Sequence, residues 1–174
     1  MPGLHELAPT PAAAVLDGTF PSALWLVRAD AQALHRRARG LDVLLHVNNG
    51  VYLSMLDVAR VDLLLRSGLA KQLWRAGFYP VVAAETIRFR RSLRLFQVFE
   101  VETTVIGWDE KAFIIQHRFL RRDELVAEAV VRSRFLKRKG GTVSSRELLD
   151  LVGRTDPSPA LPTWVEAWNR ENSS

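Results

Sequence analysis

Cysteine is absent from all 174 residues. Its absence excludes disulfide cross-links, thiolate metal sites and cysteine nucleophiles. It is also compatible with a reducing cytoplasm, the location expected for this chain. Long apolar runs are missing as well. No stretch approaches the roughly 18–20 consecutive apolar residues that cross a bilayer as a helix, so no membrane span is expected. Residues 1–21 carry Pro2, Pro9 and Pro11 and lack a basic leader ahead of an apolar segment. They read as an N-terminal arm rather than a secretion signal. The four histidines, His5, His35, His46 and His117, show none of the spacings of a metal site, and no metal is expected. Repeats and low-complexity tracts are lacking too.

What is present has the balance of a globular domain, 48% hydrophobic and 25% charged. The chain is long enough to bury one real core. Its organisation reads as the arm, a domain over 22–153, and a tail over 154–174 that holds Pro157, Pro159 and Pro162. In that tail Trp164 and Trp168, four apart, are expected to dock on the domain surface or on a partner. The formal net charge is +5, and the basic residues are concentrated. One group is Arg88, Arg90, Arg91 and Arg94; another is Arg132, Arg134, Lys137, Arg138 and Lys139. Two readings fit: a solvated sheet face, or phosphate recognition by guanidinium forks. Binding of single-stranded nucleic acid needs aromatics interleaved on an exposed face. Only Phe89 qualifies, so no nucleic-acid partner is expected.

Hydrophobic periodicity gives the order of elements. A strand is expected over 24–38, broken at Gly40. Residues 51–65 form a helix with apolar residues on nearly every side, which must be covered on most of them. Ser67-Gly68 stops it, and residues 69–76 add a short helical turn. Period-two alternation then predicts strands over 80–94, 98–107, 112–121 and 124–138. They are joined by turns at Trp108–Lys111 and Arg122–Asp123. Gly140-Gly141 ends the last strand, and a short helix follows Ser145. The fold class is α+β: an antiparallel sheet of five to six strands wrapped around one long apolar helix. Such a sheet leaves edges free, so a homodimer or homotetramer is expected.

The candidate chemistry lies where that helix begins, in Asp42-Val43-Leu44-Leu45-His46-Val47-Asn48-Asn49-Gly50-Val51-Tyr52. Asn48 or Asn49 suits the N-cap. A helix start offers unpaired N–H groups and a partial positive charge, which favour an anion or a polarised carbonyl. The Asp42 carboxylate beside it could attack an acyl group held there, or activate water to do so. His46 either orients the loop or contacts the carbonyl. One asparagine caps while either could also touch substrate, and Tyr52, one turn in, is expected to pack at a subunit interface. Asp57 is read as pairing with Arg60 or a strand residue, with a second catalytic carboxylate as the alternative. Asp62 and Arg66 have ion-pair spacing. Glu85 is either paired or part of the site.

This motif, opening a buried helix after a first strand, resembles the hotdog-fold acyl-CoA thioesterases of the 4-hydroxybenzoyl-CoA thioesterase type. The stretch 79–109, with Arg90-Arg91-Ser92-Leu93-Arg94-Leu95-Phe96 and Gly107-Trp108-Asp109, is similar to the thioesterase superfamily member six branch. The resemblance covers about residues 25–140. It implies a hotdog oligomer with sites between subunits, acting on acyl-CoA or another acyl thioester, with no cofactor beyond the coenzyme A of the substrate. It implies Asp42 as nucleophile or general base, and the helix N–H groups as polarisers of the thioester carbonyl. His46, Asn48 and Asn49 complete the expected catalytic set. Tyr52, Glu85, Arg88, Arg90, Arg91 and Arg134 are the expected substrate contacts. The alternatives are a non-catalytic hotdog protein binding an acyl or coenzyme A ligand, and an assembly protein using the Trp164–Trp168 tail.

Overall fold

A computed structural model describes residues 25–27 (backbone only), 47–94 and 97–173. Its elements are β1 (Trp25–Val27), α1 (Asn49–Arg66), α2 (Leu69–Ala76), β2 (Phe78–Phe89), β3 (Glu100–Trp108), β4 (Phe113–Arg121), β5 (Glu124–Lys137), β6 (Thr142–Val143), α3 (Ser145–Leu151) and α4 (Thr163–Glu171). The strands form one antiparallel sheet in the order β1-β3-β4-β5-β2, with β6 added to β5. The run β3-β4-β5 is the expected meander, but β2 does not join it in sequence order: it pairs with β5 on the far side rather than with β3. The meander's tight turn falls at Arg122 and Asp123, whose φ values of 50° and 63° are those of a hairpin turn that keeps the strands' twist.

Helix α1 crosses one face of this sheet. Tyr52, Met55, Leu56 and Ala59 recur at helical spacing and pack on Leu93, Phe99, Val101, Phe119, Val126, Ala127, Ala129 and Val131. The helix is not covered on most sides. Val58, Val61 and Leu65 form a second apolar stripe that is exposed. A single sheet reaches only one side of a helix, so the apolar encirclement serves two surfaces rather than one. Strand β2 is an edge and ends sooner than expected, at Phe89. There the N–H groups of Arg90 and Arg91 both donate to the Val126 carbonyl, at 2.8 and 3.0 Å, and the ladder stops.

The opposite face of the sheet is closed by the segment after α3. Residues 163–171, where no helix was expected, form α4. Its Val165 is fully buried against Ile114 and Val130, with Trp164, Trp168, Leu161 and Ile106 around them. Gly107 admits this segment, because a Cβ there would stand 2.7 Å from Leu161 Cδ2. Arg132 is buried beneath it, pairs with Asp109 at 2.9 Å and donates through Nε to the Asn172 carbonyl at 3.2 Å. Asn169 Nδ2 donates to the same carboxylate at 2.8 Å. Arg132 belongs to neither expected basic reading. Burial lowers its pKa while Asp109 supports the charge.

Between α1 and the sheet lies His117, fully buried, in register with Thr103 and Ala129. Its Nδ1 is 2.9 Å from Thr103 Oγ1, and its Nε2 has no partner among the described residues. Burial, with the nearby Arg60 cation, holds its pKa down at about 3 from the usual 6.5. The unfolded chain therefore takes up this proton first. The stability involved is present above about pH 6.5 and drains as pH falls toward 3, by up to ~1.4 kcal/mol per pH unit. Denaturant unfolding at neutral pH and at about pH 5 is expected to differ by roughly 2 kcal/mol from this group. His117→Gln should flatten that slope.

Candidate active site

The N-terminus of α1 has the cap its sequence calls for. Asn48 is the N-cap, and its Oδ1 accepts from Gly50 N at 2.8 Å. The Val51 N–H donates to the Asn48 carbonyl at 2.9 Å. The Asn49 N–H has no partner among the described residues and stands at the positive end of an 18-residue helix with no acidic side chain in its first turn. Gly50 leaves this turn without a side chain at its second residue, so a carbonyl can approach the backbone.

The helix start is fastened to the chain that follows β2. Val47 N–H donates to the Leu93 carbonyl at 3.0 Å, and Leu93 N–H donates to Tyr52 Oη at 3.1 Å. Tyr52 is almost wholly buried, 2% exposed, by this chain alone, so it lies in the interior rather than at a subunit boundary. Its ring meets Phe89 and Phe119 edge-on, with centroids 5.0 and 5.1 Å away. Burial raises its pKa, so it stays a neutral phenol. The Leu93 segment carries Arg90, Arg91 and Arg94, all exposed. Arg91 reaches Glu124 at 2.6 Å, whereas the Arg90 and Arg94 guanidinium groups have no partner among the described residues. Arg94 was outside the expected contact set, and Leu93 acts through its backbone, which no side-chain pattern reveals.

Just beyond, a cleft of about 400 Å³ is lined by Gln97, Val98, Phe99, Glu100, Leu120, Arg121, Arg122 and Asp123. Phe99 belongs to the same aromatic group as Tyr52, so the cleft and the helix start share one end of the sheet.

Other expected residues fall elsewhere. Arg88 lies on the α4 side of the sheet, its guanidinium 4.4 Å from the centre of the Trp164 ring. Arg134 pairs with Val81 on β5, six residues from the Glu128 that pairs with Arg88, or about 20 Å along the strand. The structure does not bring it together with the other arginines. Glu85 is exposed on β2 opposite Val131, with no ion pair among the described residues. Asp57 pairs with Arg60, and Asp62 accepts from Arg66 at 2.9 Å. Asp42 and His46 lie outside the described residues. No cluster able to hold a metal ion occurs among the described residues. No helix there is long and apolar enough to cross a membrane.

The helix laid on an antiparallel sheet is the hotdog fold, and solved structures share it. YbaW of Escherichia coli, described as a probable thioesterase, matches with a TM-score of 0.61 at 23% identity, over 73% of this chain and 92% of that one. A 4-hydroxybenzoyl-CoA thioesterase solved with 4-hydroxybenzoyl-CoA matches at 0.58 and 18% identity, over 66% and 91%. Protein THEM6 of Xenopus laevis is 37% identical over 134 residues, 77% of this chain and 64% of its own length. The chain thus spans a little under two thirds of that relative. The profile of the thioesterase-like superfamily matches residues 37–169, and the chain belongs to that family.

Asn48→Ala removes the cap acceptor and frees the Gly50 N–H. It should lower unfolding free energy by about 1 kcal/mol, read as a lower denaturant midpoint with unchanged slope.

Proposed function

We propose that this protein hydrolyses acyl-CoA or a closely related acyl thioester at the start of α1. The observation that carries the reading is the Asn49 N–H, without a partner among the described residues, at a capped, glycine-containing helix start in a chain of the thioesterase-like superfamily. A thioester carbonyl accepting from that N–H gains positive potential where negative charge develops during attack. The Asp42 carboxylate attacks the carbonyl carbon, or removes a proton from water that does. The C–S bond then breaks, and the thiolate of coenzyme A leaves with the electron pair. If Asp42 is the nucleophile, water cleaves the resulting anhydride; if it is the base, the acid forms directly. His46 orients the approach to the helix, and the chemistry requires no cofactor beyond the coenzyme A of the substrate.

The phosphates of coenzyme A would meet Arg90 and Arg94, the exposed cations on the segment bonded to the helix start. The rest of the carrier would lie along the cleft beginning at Gln97. A structural neighbour solved with an acyl-CoA on the same fold supports this class of ligand. A second copy of the chain would cover the exposed stripe Val58, Val61 and Leu65 and pair along β2, where Val82 and Phe89 are exposed. That would place the site beside a partner.

The test is thiol release from a panel of acyl-CoA esters. Wild-type protein should release coenzyme A, and Asp42→Asn should slow turnover by about 100-fold or more. A panel without release, or an unaffected variant, refutes the hydrolase reading.

A further inference from the structure

We infer that Tyr52 is a positioning residue: its hydroxyl, by accepting from the Leu93 N–H, locks the arginine-bearing segment 90–94 to the start of α1 and so sets recognition of the phosphate end of the substrate. The inference rests on the thioester reading above. The segment is held by hydrogen bonds at four of its five residues. Arg90 and Arg91 donate to Val126, Leu93 bonds to both Val47 and Tyr52, and Arg94 N–H donates to Gln97 Oε1 at 3.0 Å while Gln97 N–H returns to the Arg94 carbonyl at 3.3 Å. Two guanidinium groups without a partner among the described residues therefore leave a tethered backbone, the arrangement that loses least freedom on binding an anion.

Within this set the Tyr52 bond differs from the rest. It is the side-chain contact that ties the segment directly to the helix presenting the Asn49 N–H. The ring that makes it is fixed between Phe89 and Phe119, and the whole contact is buried. Replacing the hydroxyl by hydrogen keeps the ring and its packing. It leaves a buried N–H without an acceptor, a state the chain relieves by moving Leu93. Movement of Leu93 shifts Arg90 and Arg94 relative to the helix start while the acyl end of the site keeps its own contacts.

Tyr52→Phe decides the matter when assayed with two thioesters of the same acyl group, one on coenzyme A and one on N-acetylcysteamine, which has no phosphate. The KM for the coenzyme A ester should rise by about five- to ten-fold with kcat little changed, and the KM for the short thioester should stay put. Amide hydrogen exchange over residues 90–94 should accelerate. Arg90→Gln and Arg94→Gln should reproduce the KM effect without accelerating exchange. An unchanged KM, or an equal effect on both thioesters, overturns the inference. Should the wild type prove not to hydrolyse, calorimetric affinity for coenzyme A separates the two readings. Weaker binding by Tyr52→Phe upholds the positioning role and discards only hydrolysis; equal binding, or none by either protein, discards the positioning role as well.

Discussion

A sheet can bury only one side of a helix, and α1 carries apolar residues on two. Most of the architecture follows from that constraint. The stripe from Tyr52 to Ala59 takes the sheet and builds the main core. The stripe of Val58, Val61 and Leu65 is left facing outward beside the open edge of β2. Burial of the first stripe is worth about 1.5–3 kcal/mol for each large side chain, enough to fix the helix on the sheet. Each polar group drawn under the helix must then be accommodated. His117 does so by remaining uncharged, and Arg60 by pairing with Asp57 at the helix rim.

The same constraint fixes the helix start. A helix pinned along its length by a core still has loose ends, and α1 is tied at its N-terminus by two bonds through Leu93. These bonds bring a cationic segment, an aromatic group and the Asn49 amide to one end of the sheet. The polar chemistry there depends on backbone positions more than on side chains, so its precision comes from the fold itself. The arginines far down β5 and on the other face have no part in this convergence, although they share its charge.

Much of the fold could be read from residue pattern because the turns and breaks that separate the strands are local signals. The turn at Arg122–Asp123, the stop at Ser67-Gly68 and the cap at Asn48 are short-range features with short-range causes. What escaped notice was set by distant partners. Arg132 reads as a solvated cation until Asp109, Asn169 and Asn172 are placed around it. Helix α4 hides behind three prolines, and its burial depends on Ile114 and Val130, more than thirty residues away. For the site, the N-cap was legible and Arg90 was among the expected contacts, while Arg94 was not. Arg88 and Arg134 were not separable from Arg90 by type, since only strand register assigns them to faces and distances. Tyr52 was visible as a residue but not as an acceptor, because its donor is a main-chain group forty-one residues on.

The seat of α4 has a wider consequence. It occupies the apolar half of the sheet's outer surface, and the other half is a ladder of charge in which Arg118 meets Glu102 at 2.9 Å and Gln116 meets Glu128 at 2.8 Å. Any surface laid against that face meets the α4 segment and these polar pairs, whose removal from water is costly. The molecule thus carries its own lining on that side. Among the described residues, greasy surface is left to newcomers chiefly along the flank of α1 and β2.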